Sequence, residues 1–156
     1  MRALRKLRQL NWPQRALALE ALAWLGVMRL ALRMMPFPRL VAWLRLEPGE
    51  TPAAIPDQSV PSMAAERVGW AVRAVAARTP WESACLVQAL AAARMLQARR
   101  LAPTLYLGVA RQPGLPDQLH AHAWLRCGGL ILTGESESRR FPVLTSFRAS
   151  PPRPKW

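Results

Sequence analysis

Two cysteines and two histidines are the only thiols and imidazoles in this chain, in the order Cys85, His120, His122, Cys127. That order is one nucleophilic chemistry can use. Cys85 follows a tight connection, Pro80-Trp81-Glu82-Ser83-Ala84, and opens an alanine-rich run that reads as a helix from about Ser83 to Arg99. Ser83 suits the N-cap. A thiol in the first turn then meets free N–H groups and the positive end of the helix dipole, both of which stabilise a thiolate. The plain alternative is a small buried hydrophobe among alanines.

The histidines fall where the apolar period is two. In Leu119 to Cys127, alternation puts His120, His122, Trp124 and Arg126 on one face and Ala121, Ala123, Leu125 and Cys127 on the other. Gly128-Gly129 separates this run from Leu130 to Glu135, which predicts a two-residue hairpin turn. Pairing 127 with 130 carries the ladder to 122 with 135 and 120 with 137, so Glu135 flanks His122 and Glu137 flanks His120. Opposed side chains have Cβ atoms roughly 5 Å apart. Three chemistries are open. One is a Cys-His-carboxylate hydrolase with Cys85 as nucleophile, His122 as general base and acid, and Glu135 orienting the imidazole. A second is a metal site of His120, His122 and Cys127, disfavoured because alternation turns Cys127 away and no CxxC or HExxH spacing exists. The third is no chemistry, two ordinary histidines in a sheet.

The elements that must hold these residues can be read outward from them. The chain has 156 residues, half of them apolar, which suits one domain with its own core. Two cysteines exclude a disulfide scaffold and suit a reducing compartment, the cytoplasm. A first helix is predicted over 14–35, ended by Met35-Pro36-Phe37-Pro38, with a second helical piece from Arg39 to Leu46. Four prolines and no apolar period make 47–63 a linker. Val68, Ala71, Val72 and Val75 give one buried stripe to a helix over Ala64 to Arg78, ended at Thr79-Pro80. Thr104 to Ala110 alternates as a strand, and 111–118 is a turn-rich loop. The domains expected are an N-terminal helical segment with linker (1–63), a core (64–148) and a basic tail (149–156).

The net charge of +13 gathers at the ends. Arg2, Arg5, Lys6, Arg8 and Arg15 lie in the first fifteen residues, and Arg139, Arg140, Arg148, Arg153 and Lys155 near the last, without an acid in either stretch. Such ends suit acidic peptides, anionic lipid or nucleic acid. The apolar run Ala16 to Leu32 is broken by Glu20 and Arg29, each costing roughly 3 kcal/mol at a bilayer centre. A bundled or partner-facing helix is therefore expected rather than a span, with surface membrane association left open.

The segment PWESACLVQALAAARML, followed by APTLYLGVAR and HAHAWLRCGGLILTGE, resembles the transglutaminase-like leader-peptidase domain of lasso-peptide maturation proteins. The resemblance covers roughly residues 64–148. It implies an α+β, papain/transglutaminase-like fold: N-terminal helices, then a catalytic-cysteine helix packed on a small antiparallel sheet. It also implies a cysteine peptidase that removes the leader from a ribosomally made precursor. Cys85 matches the family's nucleophile, and His122, in His122-Ala123-Trp124, matches its histidine. The family commonly carries an acid after the hairpin, often Asp. This chain has none after Asp117, so Glu135 is the expected acid and Asp117, in a loop, the alternative. His120, Trp81 and Trp124 are candidates for binding substrate or walling the site.

The partners implied are the precursor's leader peptide, a separate leader-recognition protein and an ATP-dependent lasso cyclase. Residues 1–63 show no strand-rich recognition domain, which is why a separate protein is expected. No cofactor and no metal are expected, and no Gly-rich phosphate loop exists. The competing classes are an acyltransferase using the same triad and a non-catalytic basic module binding leader peptide or RNA. RNA requires interleaved aromatic and cationic residues on a sheet face. Only Tyr106, Trp124 and Arg126 approach that, so no nucleic-acid partner is expected.

Overall fold

A computed structural model describes residues 11–50, 62–79, 84–112 and 115–149. Helix α1 spans Trp12–Met34. Asn11 caps it, accepting from the Gln14 N–H while the Gln14 side chain accepts from the Asn11 N–H. It stops at Met35, which is extended because Pro36 follows. Its buried stripe is Ala18, Ala21, Leu25, Met28 and Ala31. Leu19 and Leu22 are exposed. Alanines face the neighbouring helices instead, which lets the backbones approach closely.

Helix α2 (Phe37–Trp43) leads into strand β1 (Leu46–Pro48), where the sequence suggested a longer helical piece and a linker. Three residues ending in proline carry no detectable period. Pairing with a distant strand makes β1: Leu46, Glu47 and Pro48 lie opposite Ala149, Arg148 and Phe147. Helix α3 (Met63–Ala76) is capped by the Ser62 hydroxyl and buries Val68, Ala71 and Val72, as the stripe predicted.

Helix α4 (Cys85–Ala98) buries residues almost all round, Leu90, Met95 and Leu96 among them, so it is the central helix of the core. Strands β2 (Thr104–Gln112), β3 (Leu115–Cys127), β4 (Leu130–Thr133) and β5 (Val143–Ala149) follow, with a helical turn α5 (Glu135–Ser138) after β4. The sheet order is β1-β5-β2-β3-β4, antiparallel throughout. The α+β architecture with a helix on a small antiparallel sheet is thus observed. The expected 111–118 loop is largely strand, and Asp117 lies within β3. Cross-strand pairing outweighed the local turn propensity there.

One core joins α1, α3 and α4 to Leu105, Ala123, Leu125 and Leu132 of the sheet. Arg73 of α3 donates to the Leu132 carbonyl, tying that helix to β4. Glu20 finds its reason for interrupting the apolar run: its carboxylate takes two hydrogen bonds from Arg99, at 2.7 and 3.0 Å. That pairing pushes the Arg99 guanidinium further above its ordinary value. Both side chains are about one-third exposed, so water screens the pair. A double-mutant cycle with Glu20→Ala and Arg99→Ala should give a coupling of no more than about 1 kcal/mol. Among the described residues, no helix is long and apolar enough to cross a membrane.

Candidate active site

Cys85 is the first residue of α4, half-buried against the main core. The cap position before it is Ala84, extended, and no side-chain bond caps the helix among the described residues. Ser83, expected there, lies outside the described residues, as does Trp81. Backbone N–H groups of an uncapped first turn are donors for an anion.

Helix α4 runs for about 21 Å, and a five-residue connection turns the chain back into β2. Four residues along, at about 13 Å from Thr104, stands Gly108, which faces His122 in the ladder; Ala110 faces His120. Alternation sets His122 on the face away from α4. Ala123 and Leu125 pack into the main core, whereas Trp124 joins Tyr106 and Phe141 in a second, smaller cluster.

The His122 imidazole is half-buried in that cluster. Its ring centroid is 5.1 Å from Phe141 and 6.0 Å from Trp124, which stacks in turn on Tyr106 at 5.6 Å. Burial pushes the Tyr106 hydroxyl above its ordinary value. His122 Nε2 lies 2.9 Å from the carbonyl oxygen of Gly134. His120 is exposed, its ring edge-on to Phe141 at 5.8 Å.

The hairpin begins in the expected register, with Cys127 opposite Leu130 and Arg126 opposite Ile131. A bulge then places Leu125 opposite Thr133, and β4 ends. The ladder pairs of 122 with 135 and 120 with 137 therefore do not form. Gly134 turns the chain at φ +74°, and Glu135 is exposed at the start of α5. The physical reason is the bulge, which inserts a residue and redirects the strand. Glu137's side chain lies outside the described residues.

Sequence reasoning missed Phe141, a lone aromatic before a proline with no periodic signal. It also missed two glycines. A Cβ on Gly108 would stand 2.8 Å from Phe141 Cβ and the Pro142 oxygen and 2.9 Å from Trp124. Gly108→Ala should therefore cost about 1–3 kcal/mol by overpacking, checked by denaturant unfolding. It should also displace the rings that hold His122.

Cys127 is buried in the main core, and burial pushes its thiol above the ordinary value. It faces away from both histidines, which separates the three residues of the metal reading. Iodoacetamide should label the half-buried Cys85 and spare the buried Cys127 until the protein unfolds. Peptide mapping of the labelled chain reads both.

A family model described as transglutaminase-like superfamily matches residues 22–146. The chain belongs to the transglutaminase-like superfamily. The match begins inside α1 and ends inside β5, so it spans the core, Cys85, both histidines and the Gly134 turn. No curated protein and no solved structure matches the chain. Transglutaminase-like domains generally run cysteine peptidase or acyltransferase chemistry, and of this chain's two cysteines Cys85 stands at a helix start.

Proposed function

We propose that this transglutaminase-like protein is a cysteine peptidase that removes the leader from a ribosomally synthesised lasso-peptide precursor. The observation that carries the proposal is Cys85 as the first residue of the central helix, inside a chain of a cysteine-enzyme superfamily. The resemblance of PWESACL and HAHAW to lasso-peptide maturation proteins supplies the substrate class.

The chemistry follows from the two side chains. His122 takes the proton of the Cys85 thiol, and the thiolate attacks the carbonyl carbon at the leader–core junction. A C–S bond forms, and first-turn N–H groups of α4 receive the oxyanion. The tetrahedral adduct collapses, the C–N bond breaks, and His122 returns the proton to the leaving amine. Water, deprotonated by His122, then hydrolyses the thioester and regenerates the thiol. If an amine replaced that water, the same steps would be acyl transfer.

Cys85 opens α4 and His122 lies on the sheet face away from that helix, so the reading requires the two side chains to approach each other past the edge of β3, beyond the end of β4 opposite Leu125. Trp124 walls the imidazole; His120, exposed beside Phe141, is available to peptide. The partners of the proposal are a separate leader-recognition protein and an ATP-dependent cyclase that closes the freed core peptide. Helix α1 supports docking of the former, because Leu19, Leu30 and Met34 are exposed opposite its buried stripe. Deleting α1 would strip the core of Leu25 and Met28, so the test is point substitution. Leu19→Glu with Leu30→Glu should abolish pull-down of the leader-recognition protein while thermal unfolding stays unchanged. Unchanged pull-down would remove α1 from the interface.

The test of the function itself is mass spectrometry of the precursor after incubation with this protein and the leader-recognition protein. One cut, yielding free leader and core, is expected. An intact precursor under conditions where Cys85 is alkylated rapidly would point to a different substrate.

A further inference from the structure

We propose that the backbone carbonyl of Gly134 is the positioning acceptor for His122, performing the orienting role that the sequence suggested for the Glu135 carboxylate. The assignment rests on the peptidase reading above and deepens it. A carbonyl oxygen can only accept, so His122 Nε2, 2.9 Å away, carries the hydrogen. In the neutral ring the lone pair is then on Nδ1, the nitrogen that takes the thiol proton. A group that fixes which nitrogen is basic does half the work of the third member of a triad, and orienting the ring is the other half.

The local backbone is built for this contact. The bulge between Leu125 and Arg126 ends β4 early and brings Gly134 alongside His122. Gly134 adopts φ +74°, a conformation that side chains disfavour. A Cβ there would stand 2.5 Å from the Ala123 oxygen, 2.9 Å from Trp124 Cβ and 3.0 Å from His122 Nε2 itself. The next turn is closed by Ser138, whose hydroxyl donates to the Glu135 carbonyl at 3.0 Å. Phe141 and Trp124 hold the ring from its faces while Gly134 holds it at its edge. Glu135 is exposed at the same turn, where it is the side chain a sequence pattern would choose.

The experiment is long-range proton–nitrogen NMR of the full chain, labelled with nitrogen-15, at a pH where the rings are neutral. His120→Ala assigns the two histidines. His122 should show a protonated Nε2 and an unprotonated Nδ1, and Glu135→Gln should leave that tautomer in place. Gly134→Ala should mix the tautomers and slow iodoacetamide labelling of Cys85 by about 10- to 100-fold, as loss of an orienting partner does elsewhere. A protonated Nδ1 in the parent chain would overturn the assignment. Tautomer mixing in Glu135→Gln would also overturn it, and would give the role to the carboxylate.

If Gly134→Ala does not fold, an ester in place of the 134–135 peptide link weakens the acceptor without adding a Cβ. Ligation of a synthetic 127–156 segment at Cys127 installs it, and the same mixing is expected. An unmixed tautomer in the ester chain would overturn the assignment. The tautomer is read without substrate, so the two proposals fail separately. Cleavage that survives Cys85→Ala removes the peptidase reading and leaves the Gly134 result standing. Cleavage that needs Cys85 alongside a protonated Nδ1 removes only the Gly134 assignment.

Discussion

Replacing Cys85 by alanine is expected to lower precursor cleavage by at least about 10³-fold, the scale on which nucleophile removal acts in serine and cysteine hydrolases. In the proposed mechanism the Cys85 thiolate supplies the covalent intermediate. On the same proposal His122→Ala should be comparably severe, because one imidazole would handle the proton in both half-reactions. The two losses should not add: once the nucleophile or its base is gone, the other has little left to do. Single-turnover cleavage of the precursor in the presence of the leader-recognition protein measures all three chains. Unfolding should be nearly unchanged in both variants, since each side chain is half-buried rather than central to the core. Cleavage retained in Cys85→Ala would end the cysteine-peptidase reading.

The largest expected loss of stability is at Leu90. It is fully buried at the middle of α4, which itself packs against α1, α3 and the sheet. Leu90→Ala removes buried methyl groups and leaves a cavity among residues that cannot all collapse into it. A cost of about 2–5 kcal/mol is expected. At roughly 2–4 °C per kcal/mol for a chain of this size, the midpoint should fall by about 4–20 °C. Thermal and denaturant unfolding measure it. Because α4 carries Cys85 at its first position, labelling of Cys85 should lose selectivity over Cys127 near the lowered midpoint. A change under about 1 kcal/mol would mean that α4 is not the centre of the core.

The placement of the candidate residues on their elements was legible where the signals are local. Cys85 at a helix start follows from a tight connection running into an alanine-rich helix. Strand alternation sorted Trp124 from Leu125, and the structure puts them in different clusters for that reason. The residue before Pro36 ends α1, and the pair Gly128-Gly129 turns a hairpin with Cys127 opposite Leu130. Each of these depends on backbone geometry within a few residues.

What the sequence could not determine is whatever depends on contacts between distant segments. Strand β1 exists because β5 pairs with it, across a separation of about a hundred residues, and three residues have no period of their own. The bulge at Leu125 and Arg126 has no local signal in the sequence, and it moved Glu135 out of the ladder. Phe141 and Gly108 meet His122 only through tertiary packing. Residue types, their spacing and their alternation were therefore determined locally, by dihedral preference and apolar period. The partner of His122 was decided by the tertiary structure, since a hydrogen bond depends on where two groups end up in space.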